Sequence, residues 1–204
     1  CYLLKKLAGL LSVKNLIVRT GKMEGEKKFG LISTDPFPNS TGARDMGLAS
    51  NSYGLRELIS SLFKGEIKAL YVVGEDLFSV VPEGERGRLT EALSKLSFLA
   101  VEDFRLTETA QLAHVIFPGA SPYEKDGTFT NDEGRVQRIK KAISPPGNAK
   151  PDWEILTLIG KRVKQEDFKY ADPSQIIVEI AEKISAYKGM NYDKIGILGI
   201  EKGT

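Results

Sequence analysis

Cysteine and histidine are almost missing from this chain: its 204 residues hold one of each, Cys1 and His114. Structural zinc and iron–sulfur centres draw on several such ligands, so the count excludes an internal centre of that kind. A disulfide framework is excluded as well, and a reducing compartment is the expectation. Long apolar runs are lacking too, none reaching the ~18 residues of a membrane span. Charge of one sign is also in short supply, with 29 basic against 27 acidic residues and a formal net charge of +2. The nearest approach to a basic patch, Arg135, Arg138, Lys140 and Lys141, is interleaved with acids, so neither nucleic acid nor direct membrane insertion is expected. There is no GxxxxGK[ST] phosphate loop, no GxGxxG fingerprint and no Ser–His–acid arrangement. No catalytic residue and no metal ligand are assigned.

What is present is ordinary globular composition, 41% hydrophobic and 27% charged, enough for a sizeable core. YLLKKLAGLL at the start has amphipathic helix spacing. YGLRELISSLFKG (53–65) places Leu55, Leu58, Ile59, Leu62 and Phe63 on one helical face, with Gly65 as its stop. KALYVVG (68–74), SFLAVED (97–103) and HVIF (114–117) read as buried strands, separated by a helix over 86–96 and a short one at 107–113. FGLIS (29–33) reads as a further strand, and residues 35–52 as a long loop rich in turn formers.

This alternation predicts an α/β, Rossmann-like domain: a mainly parallel sheet with helices on both faces. Asp152 and Asp172 are placed as caps of two C-terminal helices, the second with Pro173 in its first turn and Gln175 at the capping-box position. The expected division is an α/β domain over 1–165 and a helical C-terminal extension over 166–204 packing on it. A chain opening on Cys1 is read as a piece of something longer.

Ligands of open parallel sheets bind beyond the carboxyl ends of the strands. Three loops leave such ends: Gly74 to Leu77, Glu102 to Thr107, and Pro118 to Arg135. Each also has a purely structural reading. Gly74 ends a strand, Thr107 and Thr109 cap and decorate a short helix, and Gly127 supplies a turn. His114, at the start of an apolar strand, reads as packed and hydrogen-bonded rather than catalytic.

Four blocks taken together carry a resemblance: NSTGARDMG (39–47), IKALYVVGEDL (67–77), VEDFRLTETAQLAHVIFP (101–118) and EKDGTFTNDEGRVQRIKKAISPPGNAKPDWEIL (124–156). In order and spacing they resemble the second half of the catalytic module of the molybdopterin oxidoreductase superfamily. That module occurs in formate dehydrogenases and in the large subunit of NADH-quinone oxidoreductase (respiratory complex I). The wording GTFTNDEGRVQ and the end at GMNYDKIGILGIEKGT are most similar to that complex I subunit.

That resemblance implies a scaffold region of the large subunit of a complex I-type NADH dehydrogenase, like a half-site for molybdopterin guanine dinucleotide but without cofactor. The alternative it leaves is part of an active molybdopterin enzyme such as a formate dehydrogenase, which would hold that cofactor. It implies cofactor contacts at Gly74, Glu75 and Asp76, at Thr107 and Thr109, and at Glu124, Gly127, Asn131 and Arg135. Partners would be the N-terminal iron–sulfur part of the subunit and other respiratory subunits, in the cytoplasm at the inner membrane. The metal-ligating residue of active members lies in a half that these residues do not include. Leu77 and Phe78 stand where the family often has proline, and His114 stands for its strand aspartate.

Overall fold

The computed structural model describes residues 1–20, 37–48 and 54–203. In chain order the elements are α1 (Tyr2–Leu10), α2 (Ser40–Asp45), α3 (Leu55–Phe63), β1 (Ala69–Val73), α4 (Arg86–Ser94), β2 (Phe98–Asp103) and α5 (Glu108–Gln111). They continue with β3 (Val115–Pro118), β4 (Gly127–Thr130), β5 (Arg135–Ile139), α6 (Asp152–Val163), α7 (Pro173–Lys183), α8 (Tyr192–Ile195) and β6 (Ile200–Glu201). Two compact units share the chain. One is built from Cys1–Gly54, Asp126–Lys141 and Leu156–Thr204, the other from Leu55–Lys125 and Ala142–Ile155.

The second unit carries the parallel sheet, in order β1-β2-β3. Val73 pairs with Glu102 and Glu102 with Phe117, so all three strands run the same way and their exits share one edge. The expected α/β fold on a parallel sheet is the one observed. β2 is central and buried through Leu99, Ala100, Val101, Glu102 and Asp103. Against the expectation of a buried strand, β3 is an edge strand with Val115 and Ile116 exposed. The apolar face of α3 buries Leu58, Ile59 and Leu62, and Gly65 stops it at φ +70°. His114 accepts a hydrogen bond from the Leu99 amide at Nδ1 (3.0 Å) and stacks on Phe98, but it is exposed, so it is hydrogen-bonded as expected and not packed in the core.

The first unit holds an antiparallel sheet in order β4-β5-β6. Its Val136 is fully buried, and its helices α1 and α7 bury Leu3, Leu7, Ile176, Ile177 and Ile180. Each such side chain contributes about 1.5–3 kcal/mol on full burial. Asp172 accepts from the Ser174 amide (2.8 Å), and Gln175 reaches back to the Ala171 amide (2.7 Å), a capping arrangement read from sequence. A four-way cluster completes the unit. Glu179 of α7 accepts from Tyr2 (2.7 Å), Lys6 (2.8 Å), Tyr170 and Lys183, fastening α1 to α7.

Two expectations need correction. Within the stretch expected as a loop, residues 40–45 form α2, because Asn39 anchors its start: its Oδ1 accepts from the Thr130 amide at 2.8 Å. Asp152 does not cap α6 but is its first residue, and its carboxylate is bound to Lys125 instead. The strand expected at 29–33 lies outside the described residues.

Candidate functional site

In the parallel-sheet unit, β1 delivers Gly74 to the rim. Its amide donates to the Glu102 carbonyl (2.8 Å), and its φ is +64°. Nothing lies within 4 Å of the place a Cβ would occupy, so the left-handed backbone, not crowding, asks for glycine there. Asp76 follows as the cap of the 3₁₀ turn Leu77–Ser79. Its Oδ1 accepts from the Phe78 amide (3.2 Å), from the Thr109 hydroxyl (2.7 Å) and from the Thr109 amide (3.3 Å). The Thr109 hydroxyl in turn accepts from the Leu77 amide (2.8 Å). Asp76 and Thr109 therefore lash the turn after β1 to the start of α5.

Thr107 caps α5 by accepting from the Ala110 amide (3.1 Å). Glu75 accepts from the Asp76 amide (3.3 Å), and Glu124 from the Ser121 amide (2.8 Å). These residues share one unit with Gly74.

Gly127, Asn131 and Arg135 belong to the other unit, on the β4–β5 hairpin. Gly127 pairs with Ile139 at the hairpin's open end. Asn131 shapes the tip, its Oδ1 accepting from the Glu133 (3.1 Å) and Arg135 (2.8 Å) amides, while Gly134 takes φ +82°. Arg135 binds the Gly199 carbonyl (3.3 Å) and Glu201 (2.7 Å), which fixes β6. The charge-rich segment is thus tied up by specific bonds and is not a loose solvated loop.

The same unit contains a cleft of about 340 Å³. Phe37, Phe129 and Ile139 give it apolar walls; Thr41, Asn131 and Arg138 give it polar ones. Thr41 is 6% exposed. Among the described residues its hydroxyl finds no hydrogen-bond partner, and neither does the buried Nε of Arg138. The Arg138 guanidinium lies over the Tyr192 ring, 4.0 Å from its centroid. Burial pushes the Tyr192 hydroxyl up to about 12, with the Arg138 charge working the other way.

A buried polar atom without a partner costs about 1–3 kcal/mol. The two residues that hold these atoms line one cleft with aromatic walls, which suits a planar heterocycle that brings its own donors and acceptors. Sequence reasoning missed both residues. Thr41 falls in a stretch read as loop, and Arg138 among interleaved surface charges. The alternation of VQRIKK was the usable signal, since it sets Arg138 on a strand, two residues from the buried Val136.

Comparison with known proteins supplies the classification. Residues 7–162 match the family model described as molybdopterin oxidoreductase. The chain belongs to the molybdopterin oxidoreductase family. The F420-dependent formate dehydrogenase 2 subunit alpha of Methanococcus maripaludis is 42% identical over 137 residues, covering 67% of this chain and 20% of that protein. A provisionally named formate dehydrogenase of Staphylococcus haemolyticus is 42% identical over 139 residues, 68% of this chain and 14% of that one. Among solved structures, acetylene hydratase from Pelobacter acetylenicus superposes with a TM-score of 0.54 at 17% identity, over 69% of this chain and 19% of that one; it is a likeness of fold. The chain thus spans about a seventh to a fifth of the length of these formate dehydrogenase relatives.

These relatives correct the expected function. The likeness to the large subunit of NADH-quinone oxidoreductase gives way to formate dehydrogenases at 40–42% identity, which favour the alternative reading. Among the described residues no helix is long and apolar enough to cross a membrane.

Proposed function

We propose that this chain is part of a formate dehydrogenase-like molybdopterin oxidoreductase and contributes contacts to its molybdopterin guanine dinucleotide. The observation that carries the reading is the cleft with two unpartnered buried polar atoms, Thr41 Oγ1 and Arg138 Nε. Pterin and guanine are both planar and edged with donors and acceptors, so these residues fit either ring system. The cleft has room for a ring system and not for the whole dinucleotide, so further contacts are required. Separately from the cleft, Gly74, Glu75, Asp76, Thr107 and Thr109 at the sheet rim, with Glu124, are proposed as nucleotide contacts of the parallel-sheet unit. A glycine with open space above it allows close approach of a nucleotide backbone, and a carboxylate accepts from ribose or base.

When bound, this group supplies the metal-centred two-electron chemistry of such enzymes. The roles proposed for the residues of this chain are binding and orientation. Thr41 would offer a hydroxyl that both donates and accepts, and Arg138 a fixed donor preset by its stacking on Tyr192. Phe37 and Phe129 would exclude water. The metal-ligating residue would come from elsewhere in a longer enzyme.

Calorimetric titration of the chain with guanosine diphosphate, and separately with a soluble pterin, tests the proposal. Binding of either should weaken about tenfold or more in Arg138→Ala and Thr41→Val, since each loses about 1.4 kcal/mol or more of pairing. Absence of binding by both probes at concentrations of about 1 mM would overturn it.

A further inference from the structure

Glu102 is the penultimate residue of the central strand, with 1% of its surface exposed. Its Oε2 accepts from the Tyr71 hydroxyl, whose ring meets Phe117 edge-on. Its Oε1 is buried and receives no hydrogen bond from a donor. The carboxyl group of Asp152, the first residue of α6, lies within hydrogen-bonding reach of Glu102. Two ionised carboxylates are acceptors only and cannot bond to each other. The donor that this contact lacks is a proton.

Charge counting leads to the same place. The charged and titratable groups facing Glu102 are Tyr71 on β1, Lys125 in the connection after β3, and Asp152. Lys125 is paired with Asp152, and the nearby Lys150 is committed to Glu154. With both carboxylates ionised, the set would carry one uncompensated negative charge, and Glu102, the member shut off from water, would bear its cost. One proton makes it neutral. A metal ion in that place is not indicated, since no cluster of three or more metal-ligating side chains exists among the described residues.

We propose that Glu102 and Asp152 share one proton at neutral pH, and that this proton latches Ala142–Ile155 to the carboxyl end of the parallel sheet. Burial pushes the Glu102 carboxyl well above the ordinary carboxylate range. The Tyr71 hydrogen bond opposes that shift, Asp152 adds to it, and the Lys125 charge opposes it. Loss of the proton leaves the buried Glu102 carboxylate and the part-exposed Asp152 carboxylate facing one ammonium, and the segment that carries Asp152 loosens. The backbone bridge between Gly119 and Lys150 belongs to the same join. Because the Glu102 carbonyl also holds the Gly74 amide, the latch acts beside the rim turn. It stands independently of any cofactor reading.

Trp153, the chain's one tryptophan, neighbours Asp152 and reports on the join. Its fluorescence, followed from about pH 6 to about pH 10, should show a transition near the raised value of about 8 for Glu102. Glu102→Gln keeps a neutral donor in place and should abolish that transition. Cys1 and the amino terminus remain in the variant as internal controls for other titrations. Asp152→Asn leaves Glu102 free to balance Lys125, so its transition should move down by about one pH unit or more. Should Glu102→Gln fail to fold, infrared spectroscopy of the unaltered chain decides, through the carbonyl stretch of a protonated carboxylic acid at neutral pH. An unchanged transition in Glu102→Gln, or no protonated carboxyl in the infrared spectrum, would overturn the proposal.

Discussion

Gly160 lies inside α6, and a Cβ there would meet the Phe168 ring at 2.3, 2.4 and 2.6 Å. Phe168 is 0% exposed, sits edge-on to Tyr170 with centroids 6.3 Å apart, and has the Lys6 ammonium 5.1 Å from its centroid. Two effects compete in Gly160→Ala. Alanine is the better helix former by about 1 kcal/mol. Against it, carbon atoms pack at about 3.5–4 Å, so the ring must retreat by more than about 1 Å out of a filled core. Overpacking of that kind costs about 1–3 kcal/mol, and displacing the ring from Lys6 adds about 0.5–1 kcal/mol. Steric cost outweighs propensity, and a net loss of about 1–3 kcal/mol is expected, or roughly 3–10 °C in Tm for a chain of this size. Gly87, in α4, has nothing within 4 Å of its Cβ position. Gly87→Ala should therefore stabilise by up to about 1 kcal/mol. Thermal and urea unfolding of both variants measure this directly. The double variant Gly160→Ala/Phe168→Leu should recover about 1 kcal/mol or more relative to additivity. Gly160→Ala matching or exceeding the parent in stability would refute the reasoning.

Glu179 yields a prediction in acid. Burial by itself would raise its carboxyl, but hydrogen bonds from Lys183, Lys6, Tyr170 and Tyr2 outweigh that and hold it at about 2, below its ordinary 4.5. A value depressed on folding gives stability that is present above 4.5 and lost as pH falls through about 2. After discount for partial exposure and screening it amounts to about 1–2 kcal/mol. Glu179→Gln should lose that much at neutral pH and show a flatter decline between pH 4.5 and about 2 in acid-denaturation curves. Thr109→Val removes the donor to Asp76 and the acceptor for Leu77, and urea unfolding should register a loss of about 1–3 kcal/mol. Asp172→Ala removes the cap of α7 and should cost about 1 kcal/mol in the same assay.

The parallel strands were legible because short apolar runs such as ALYVV and FLAV are bounded by glycine or serine, although only β2 is buried along most of its length. Capping at Thr107 and Asp172 could be read because a cap depends on local chemistry within three residues. Helix α2 could not, since Ser40, Thr41 and Gly42 are weak helix formers and their geometry rests on the Asn39 bond to Thr130, 91 positions away. Strand β6 was equally hidden, being two residues held by Arg135 through Glu201. At the candidate site, Gly74, Asp76 and Thr109 were named from sequence, and the last two are in direct contact. Thr41 and Arg138 escaped because a missing hydrogen bond is a property of surroundings, which no residue string displays. Glu102 could have been flagged, as a carboxylate ending an apolar strand demands a partner.

The order in which the two units draw on the chain bears on how the protein is made. The parallel-sheet unit needs nothing beyond Ile155, whereas the other recruits residues from both ends. Asp45 accepts from Tyr187 (2.8 Å) and from Lys202 (2.7 Å), so its closing bonds join positions 157 residues apart. On a ribosome the parallel-sheet unit has all its residues while the other still waits for its final strand. Helix α1 then waits for Glu179, which holds it through Tyr2 and Lys6, a vulnerable interval in which chaperones or neighbouring nascent chains have their opening.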